Sequence, residues 1–145
     1  GFIQDLSDHC AGKKTQLATL VGRYYAMDRD KRWERVKIAY DALVHHTGTF
    51  TDDFVGSLKE SYQQGVTDEF IQPLISNQVP EADARIKEGD VVFFFNFRTD
   101  RGRELTQVLS QEDFHEQNMH KLNLYYVSII IIFTNELALI RISDR

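Results

Sequence analysis

Two stretches of this sequence place arginines and aspartates directly after an apolar run, and they limit the fold more than any other feature. The first, residues 22–30, reads GRYYAMDRD and lies between the apolar run 17–21 and a helix-period run at 31–44. The second, residues 98–101, follows the phenylalanine-rich run 91–97. Ligands of open α/β sheets bind at the edge where strands end and helices begin. We therefore predict that the two strand ends lie side by side at one such edge.

The charged side chains of these two stretches predict a binding site for one small anion. Each guanidinium is a planar fork that can bind a phosphate or a carboxylate through two hydrogen bonds. Aspartates in the same stretches would hold these forks in place or accept hydrogen bonds from ligand hydroxyls. The alternative that stays open is a set of salt bridges that hold the loops together. The predicted binding residues are Arg23, Arg29, Arg98 and Arg101, and the predicted supporting residues are Asp28, Asp30 and Asp100.

The hydrophobic pattern of the whole chain favours an α/β fold. We expect a three-layer sandwich, in which helices cover both faces of a mainly parallel sheet. The strands of that sheet are predicted at residues 17–21, 91–97 and 123–132. Helices are predicted over residues 1–11, 31–44, 51–64 and 99–109.

Length, charge and cysteine content exclude several classes of function. With 145 residues the chain can bury one sizeable core. Its formal net charge of -5 argues against nucleic acid or an anionic membrane surface as a partner. The single cysteine, Cys10, allows neither an internal disulfide nor a cysteine-based zinc site. The longest aliphatic run, 129–132, is far below the roughly 20 residues that span a bilayer, and we expect a cytoplasmic protein.

The sequence predicts no catalytic centre and no metal ligands within this chain. His45 and His46 are adjacent at a helix end, where their side chains would face different ways. His115 and His120 lack a cysteine or a carboxylate at a recognised ligand spacing. The nucleophile elbow GxSxG, the P-loop and the dinucleotide motif GxGxxG do not occur. The arginines are therefore expected to bind rather than to break bonds.

The motif residues resemble those of the cofactor-independent phosphoglycerate mutases, which do not use 2,3-bisphosphoglycerate. Residues 22–36 carry the family signature, and residues 68–70 match a further piece of the same domain. The segment 96–101, NFRTDR, is similar to the family's NFRPDR, with Thr99 in place of its proline. The resemblance covers about residues 1–127, which would be part of the substrate-binding domain. Residues 128–145 are expected to be an atypical C-terminal tail, a last strand plus a non-native end.

This resemblance implies a place for the chain in a larger enzyme. The mutases interconvert 3-phosphoglycerate and 2-phosphoglycerate in glycolysis, and a phosphatase-like domain holds two manganese ions and a transiently phosphorylated serine. The four arginines fall on the family's substrate-binding arginines, which implies phosphoglycerate as ligand and that metal domain as partner. The chain alone would then lack mutase activity. Two alternatives remain, a non-catalytic anion-binding or interaction module derived from the domain, and a structural remnant with unpaired sheet edges.

Overall fold

The computed structural model of the chain describes residues 1–96 and 98–128, which form a mixed α/β arrangement. The α-helices are α1 (Phe2–Cys10), α2 (Arg23–Ala26), α3 (Trp33–His45), α4 (Phe54–Gln63), α5 (Glu81–Ala84) and α6 (Thr99–Thr106). The strands are β1 (Thr19–Leu20), β2 (Thr49–Thr51), β3 (Leu74–Ser76), β4 (Val91–Phe94) and β5 (Tyr125–Ser128). Short 3₁₀ helices span Asp68–Phe70 and His115–Gln117, and a π-helical turn, Gln107–Gln111, extends α6. The prediction of a mixed α/β chain is confirmed.

The described strands form two small sheets instead of one. In the first sheet β3 is the middle strand, antiparallel to β1 and parallel to β2. In the second sheet β4 and β5 pair in parallel, from Val91 opposite Tyr125 to Phe94 opposite Ser128. The prediction that the runs 17–21 and 91–97 share one mainly parallel sheet is therefore wrong for the described residues. The three-layer arrangement stays a prediction.

The physical reason for this error is the strand β3, which the sequence did not reveal. Pro73 argues against a central strand, because proline has no N–H to donate to a neighbour. The structure places Pro73 just before β3, where only its carbonyl is used, as acceptor for Thr49 N at 2.8 Å. β3 then occupies the place beside β1 that the prediction gave to the phenylalanine-rich run. Residues 129–132 of the third predicted strand and nearly all of the predicted tail lie outside the described residues.

The four predicted helices agree with α1, α3, α4 and α6 to within a few residues. α4 begins after Asp53, whose carboxylate accepts from Val55 N at 2.9 Å and so satisfies one free N–H group of the first turn. α3 ends at His46, which adopts the left-handed conformation common at helix C-termini. These local contacts define the start of α4 and the end of α3.

The main hydrophobic core lies between α3 and the helical segment that begins with α6. Tyr40 is at its centre, 1% exposed, and its hydroxyl donates to His120 O at 2.6 Å and accepts from His120 N at 3.1 Å. Burial raises the pKa of the Tyr40 hydroxyl. Because α3 packs against α6 here, the loop that leads into α3 comes to lie at the start of α6. The buried members of this core are Tyr25, Val36, Ala39, Tyr40, Val44, Leu105, Val108, Leu109 and Met119.

Candidate functional site

The first arginine stretch begins at a close approach between two backbone segments. Gly22 N donates to Ile71 O at 2.9 Å. A Cβ atom on Gly22 would lie only 2.6 Å from Glu69 O and 2.7 Å from Ile71 N, closer than real Cβ atoms come. A glycine is therefore needed at the end of the first apolar run. Its position fixes the start of the short helix α2, which was not among the predicted helices.

Arg23, the first residue of α2, is held by an acidic side chain from the neighbouring 3₁₀ helix. Its Nη2 donates to Glu69 Oε2 at 2.6 Å, and both side chains are partly exposed. The next residue, Tyr24, packs its ring against Phe70 with the ring centroids 5.1 Å apart. On the other side the guanidinium carbon of Arg35 lies 4.0 Å from the Tyr24 ring centroid, a cation–π arrangement. These contacts join α2 to α3 and to the segment Asp68–Phe70.

The two arginine stretches meet, even though the strands that precede them belong to different sheets. Arg29 Nη1 donates to Asp100 Oδ2 at 3.4 Å, and Arg101 Nη1 donates to Met27 O at 3.1 Å. These contacts join residues 71 and 74 positions apart in the sequence. The packing of α3 on α6 brings them together, and the sheet edge that we predicted plays no part. Whether the arginines there bind an anion stays a prediction.

The remaining predicted residues have separate environments. Arg98 is exposed, and its backbone N–H donates to Asn96 Oδ1 at 3.0 Å just before α6. Asp30 is exposed, and its backbone N–H donates to Asp28 Oδ2. Within residues 1–96 and 98–128, no described hydrogen bond joins Arg23 or Arg98 to the Arg29–Asp100 pair. The structure therefore brings Arg29, Asp100 and Arg101 together, while Arg23 is held by Glu69.

Asp28 is a buried carboxylate that closes the loop before α3. It is 4% exposed, and its Oδ2 accepts from Asp30 N and Arg32 N, both at 3.0 Å. Its Oδ1 lies 3.3 Å from Arg35 Nη1. Burial alone would raise the pKa of Asp28, but the two backbone N–H groups, a hydrogen bond with Glu104 and the charge of Arg35 together lower it. Asp28 is therefore ionised and supports the loop through two backbone N–H groups and Arg35. Its predicted role beside the four anion-binding arginines stays a prediction.

Glu104 is a second buried carboxyl group beside Asp28, and the sequence analysis missed it. It is also 4% exposed, and its Oε1 accepts from Lys31 N at 2.8 Å. Burial, together with neighbouring Asp28 and Asp30, raises the pKa of Glu104 to about 7. One available signal was its spacing from Arg101, because residues three apart on a helix lie on the same face. That signal is weak, since most helical glutamates are exposed.

The part of the chain that the structure describes offers no metal centre. Residues 1–96 and 98–128 contain no group of three or more histidine, cysteine, aspartate or glutamate side chains placed to hold an ion. These residues therefore offer no ligand set for the two manganese ions that the resemblance implies. The same residues include no helix with the length and apolar character needed to cross a membrane.

Comparison with known proteins decides the family. Residues 1–133 match the family model described as the BPG-independent PGAM N-terminus, where PGAM stands for phosphoglycerate mutase. This chain belongs to the BPG-independent phosphoglycerate mutase family. The resemblance found in residues 22–36, 68–70 and 96–101 is thereby confirmed.

Relatives within the family are similar over most of this chain. The 2,3-bisphosphoglycerate-independent phosphoglycerate mutase of Flavobacterium johnsoniae is 61% identical over 129 residues, covering 88% of this chain and 26% of the relative. That of Bacteroides thetaiotaomicron is 55% identical over 122 residues, covering 84% and 24%. A crystal structure of Leishmania mexicana phosphoglycerate mutase at low cobalt concentration superposes with a TM-score of 0.71 at 26% identity, covering 88% and 25%. The chain thus spans about a quarter of the length of these mutases.

Proposed function

We propose that this chain is the substrate-binding part of a 2,3-bisphosphoglycerate-independent phosphoglycerate mutase. The parent enzyme would interconvert 3-phosphoglycerate and 2-phosphoglycerate in glycolysis, in the cytoplasm. Arg23, Arg29, Arg98 and Arg101 would bind the phosphate and carboxylate of the ligand. The bond-breaking steps would belong to the phosphatase-like partner domain with its two manganese ions. The observation that carries the proposal is the pair of contacts from Arg29 to Asp100 and from Arg101 to Met27.

The salt bridges that now hold two of these arginines do not conflict with this role. The pairs Arg23–Glu69 and Arg29–Asp100 are formed by side chains that are close to half exposed. Such exposed pairs contribute only about 0–1 kcal/mol each. A hydrogen bond to a charged ligand group contributes roughly 1.5–3 kcal/mol. A phosphate or carboxylate that makes several such bonds therefore has the advantage over the carboxylates of Glu69 and Asp100.

The proposal is tested by titration calorimetry of this chain with 3-phosphoglycerate and with 2-phosphoglycerate. We expect weak but measurable binding, and we expect Arg29→Ala and Arg98→Ala each to weaken it by about tenfold or more, the equivalent of one lost charged hydrogen bond. Arg85→Ala is the matched control, because Arg85 directly follows the separate helix α5 and pairs with Glu81 at 2.9 Å. No binding by the unmodified chain, or an equal loss in the control, would overturn the proposal.

The same proposal predicts that this chain alone does not interconvert the two phosphoglycerates. The nucleophilic serine and the metal ligands implied by the family resemblance match no residue here, so the arginines can hold the substrate but have nothing to transfer its phosphate. An assay with 3-phosphoglycerate and added manganese, coupled to consumption of the 2-phosphoglycerate formed, measures this directly. Turnover by the purified chain would contradict the division of labour proposed above.

A further inference from the structure

The buried carboxyl groups of Asp28 and Glu104 connect the same two segments as the arginine contacts. Asp28 directly precedes Arg29 in the loop before α3, and Glu104 lies three residues after Arg101 on α6. Each carboxyl group shifts the pKa of the other, downward for Asp28 and upward for Glu104. A change in the charge of Glu104 would therefore move one arginine-bearing segment relative to the other.

The hydrogen-bond partners of the pair show where its proton must lie. Two carboxyl groups that lie close together in a buried site favour a state in which one of them is protonated. Asp28 already accepts two backbone N–H groups and faces Arg35, all of which favour its ionised form. Glu104 Oε1 accepts from Lys31 N, but Oε2 is buried and receives no hydrogen bond from the described residues. A buried oxygen without a donor is costly when it is charged, so the proton belongs on Glu104 Oε2.

Glu104 also stabilises an unusual turn in the arginine loop. Lys31 has a φ of 55°, in the left-handed region that residues with side chains rarely adopt. Its backbone N–H is the group that donates to Glu104 Oε1 at 2.8 Å. Lys31 lies between Arg29 and the first residue of α3. Glu104 thus binds the loop at Lys31, on the C-terminal side of Arg29, and interacts electrostatically with Asp28, the residue before Arg29.

We propose that Glu104 is a positioning residue for the anion site, which in its protonated form holds the Arg29 loop against the helix that carries Arg101. The inference rests on the proposed function, because it concerns the binding of phosphoglycerate by those arginines. Loss of the proton places two negative charges together in a buried site, and the repulsion between Glu104 and Asp28 pushes the loop away from α6. Affinity for the ligand is then lost together with the alignment of Arg29 and Arg101.

The charged groups around the pair decide the pH at which this happens. Asp30 from the loop opposes ionisation of Glu104, Arg35 from α3 favours ionised Asp28, and Arg101 shares α6 with Glu104. Because burial and the two aspartates raise the pKa of Glu104 from an ordinary 4.5 to about 7, the folded chain keeps a proton that the unfolded chain releases. The stabilising effect is complete below pH 4.5 and is lost as the pH rises through 7.

The test is titration calorimetry with 3-phosphoglycerate from pH 5.5 to 8.5, comparing the unmodified chain with Glu104→Gln. Glutamine keeps an N–H donor for Asp28 and an acceptor for Lys31, but it does not titrate. The ligand phosphate itself titrates near pH 6, so the readout is the difference between the two pH profiles. We expect equal affinity within about twofold at pH 5.5, and about tenfold tighter binding by Glu104→Gln at pH 8.5.

Two further variants and a stability measurement distinguish failure of this inference from failure of the proposed function. Glu104→Ala should bind weakly at every pH, and its difference from Glu104→Gln measures rescue by the isosteric side chain. The control, Glu116→Gln, removes an exposed carboxylate and should follow the profile of the unmodified chain. Urea unfolding should give a lower free energy of unfolding at pH 8 than at pH 5.5 for the unmodified chain. The same difference should be smaller for Glu104→Gln. Binding with parallel profiles, or parallel loss of stability, overturns this inference alone. No binding at any pH overturns the proposed function as well.

Discussion

The two sheets of this chain differ in how completely they are covered. In the first sheet every residue of the middle strand β3 is buried, and Ile75 is 0% exposed. In the second sheet Val91, Phe93 and Tyr125 are exposed, with 61% of Phe93 open to solvent. Side chains alternate between the faces of a strand, and Phe94 and Tyr126 on the opposite face pack against the main core. Apolar composition alone therefore does not tell which face of a strand is buried.

The two sheets therefore support the arginine-bearing helices in different ways. The first sheet carries Gly22 and hence the start of α2, and its middle strand β3 is buried along its whole length. The second sheet supports α6 through one face only, while its other face exposes a row of large apolar side chains. We expect substitutions to separate the two sheets clearly, with large costs in the first and small ones on the exposed face of the second.

The largest effect is expected for Ile75→Ala. Removal of a fully buried aliphatic side chain from β3 should lower the free energy of unfolding by about 2–5 kcal/mol, because transfer energy is lost and a cavity is left. Equilibrium urea denaturation followed by circular dichroism measures this. Phe93→Ala is the matched substitution in the second sheet, and equal losses in the two variants would show that the sheets do not differ.

An intermediate effect is expected for Gly22→Ala compared with Gly102→Ala. The new methyl group at position 22 meets rigid backbone atoms of residues 69 and 71, so we expect a loss of about 1–3 kcal/mol. At position 102 it meets the Phe94 ring at 2.7 Å, a side chain and not backbone. The helix propensity of alanine, favourable by about 1 kcal/mol over glycine, offsets part of that clash in α6. Thermal unfolding of both variants decides whether the backbone contact matters more.

The smallest effect on stability is expected for Phe93→Ser. Because most of this side chain is exposed, the free energy of unfolding should change by no more than about 0.5 kcal/mol. Exposed apolar patches favour association, so self-association at high concentration should decrease. Sedimentation velocity of the variant beside the unmodified chain measures this, and a large loss of stability would mean that the face is covered after all.

The helices were predictable because their signals are local. The apolar stripe of α3, which includes Val36, Tyr40 and Val44, has the helical period and is buried as that period requires. The sheets were not predictable, because strand pairing depends on segments that are far apart in the sequence. The short strand β3, which follows a proline, also has too few residues to show a clear strand pattern. A sequence pattern of this kind identifies that a run is apolar but not which strand lies beside it.

The candidate site was partly predictable for a similar reason. Arginines at the start of two helices were recognisable in sequence, and the contact of Arg29 with Asp100 lies between the two predicted stretches. The sequence did not reveal the pairing of Arg23 with Glu69 or the burial of Glu104, since both depend on which helices pack together. A single buried charged residue leaves no periodic pattern in the sequence from which its burial could be predicted.

The hydrogen bonds between the Tyr40 hydroxyl and the backbone of His120 make the His120 amide a probe for opening of the main core. One hydroxyl supplies both the donor and the acceptor for the backbone of His120, so that amide exchanges its hydrogen with heavy water only when α3 moves away from the segment around residue 120. The exchange rate of this single amide would therefore follow the opening of the main core, and it could be read by nuclear magnetic resonance without any label in the arginine loop.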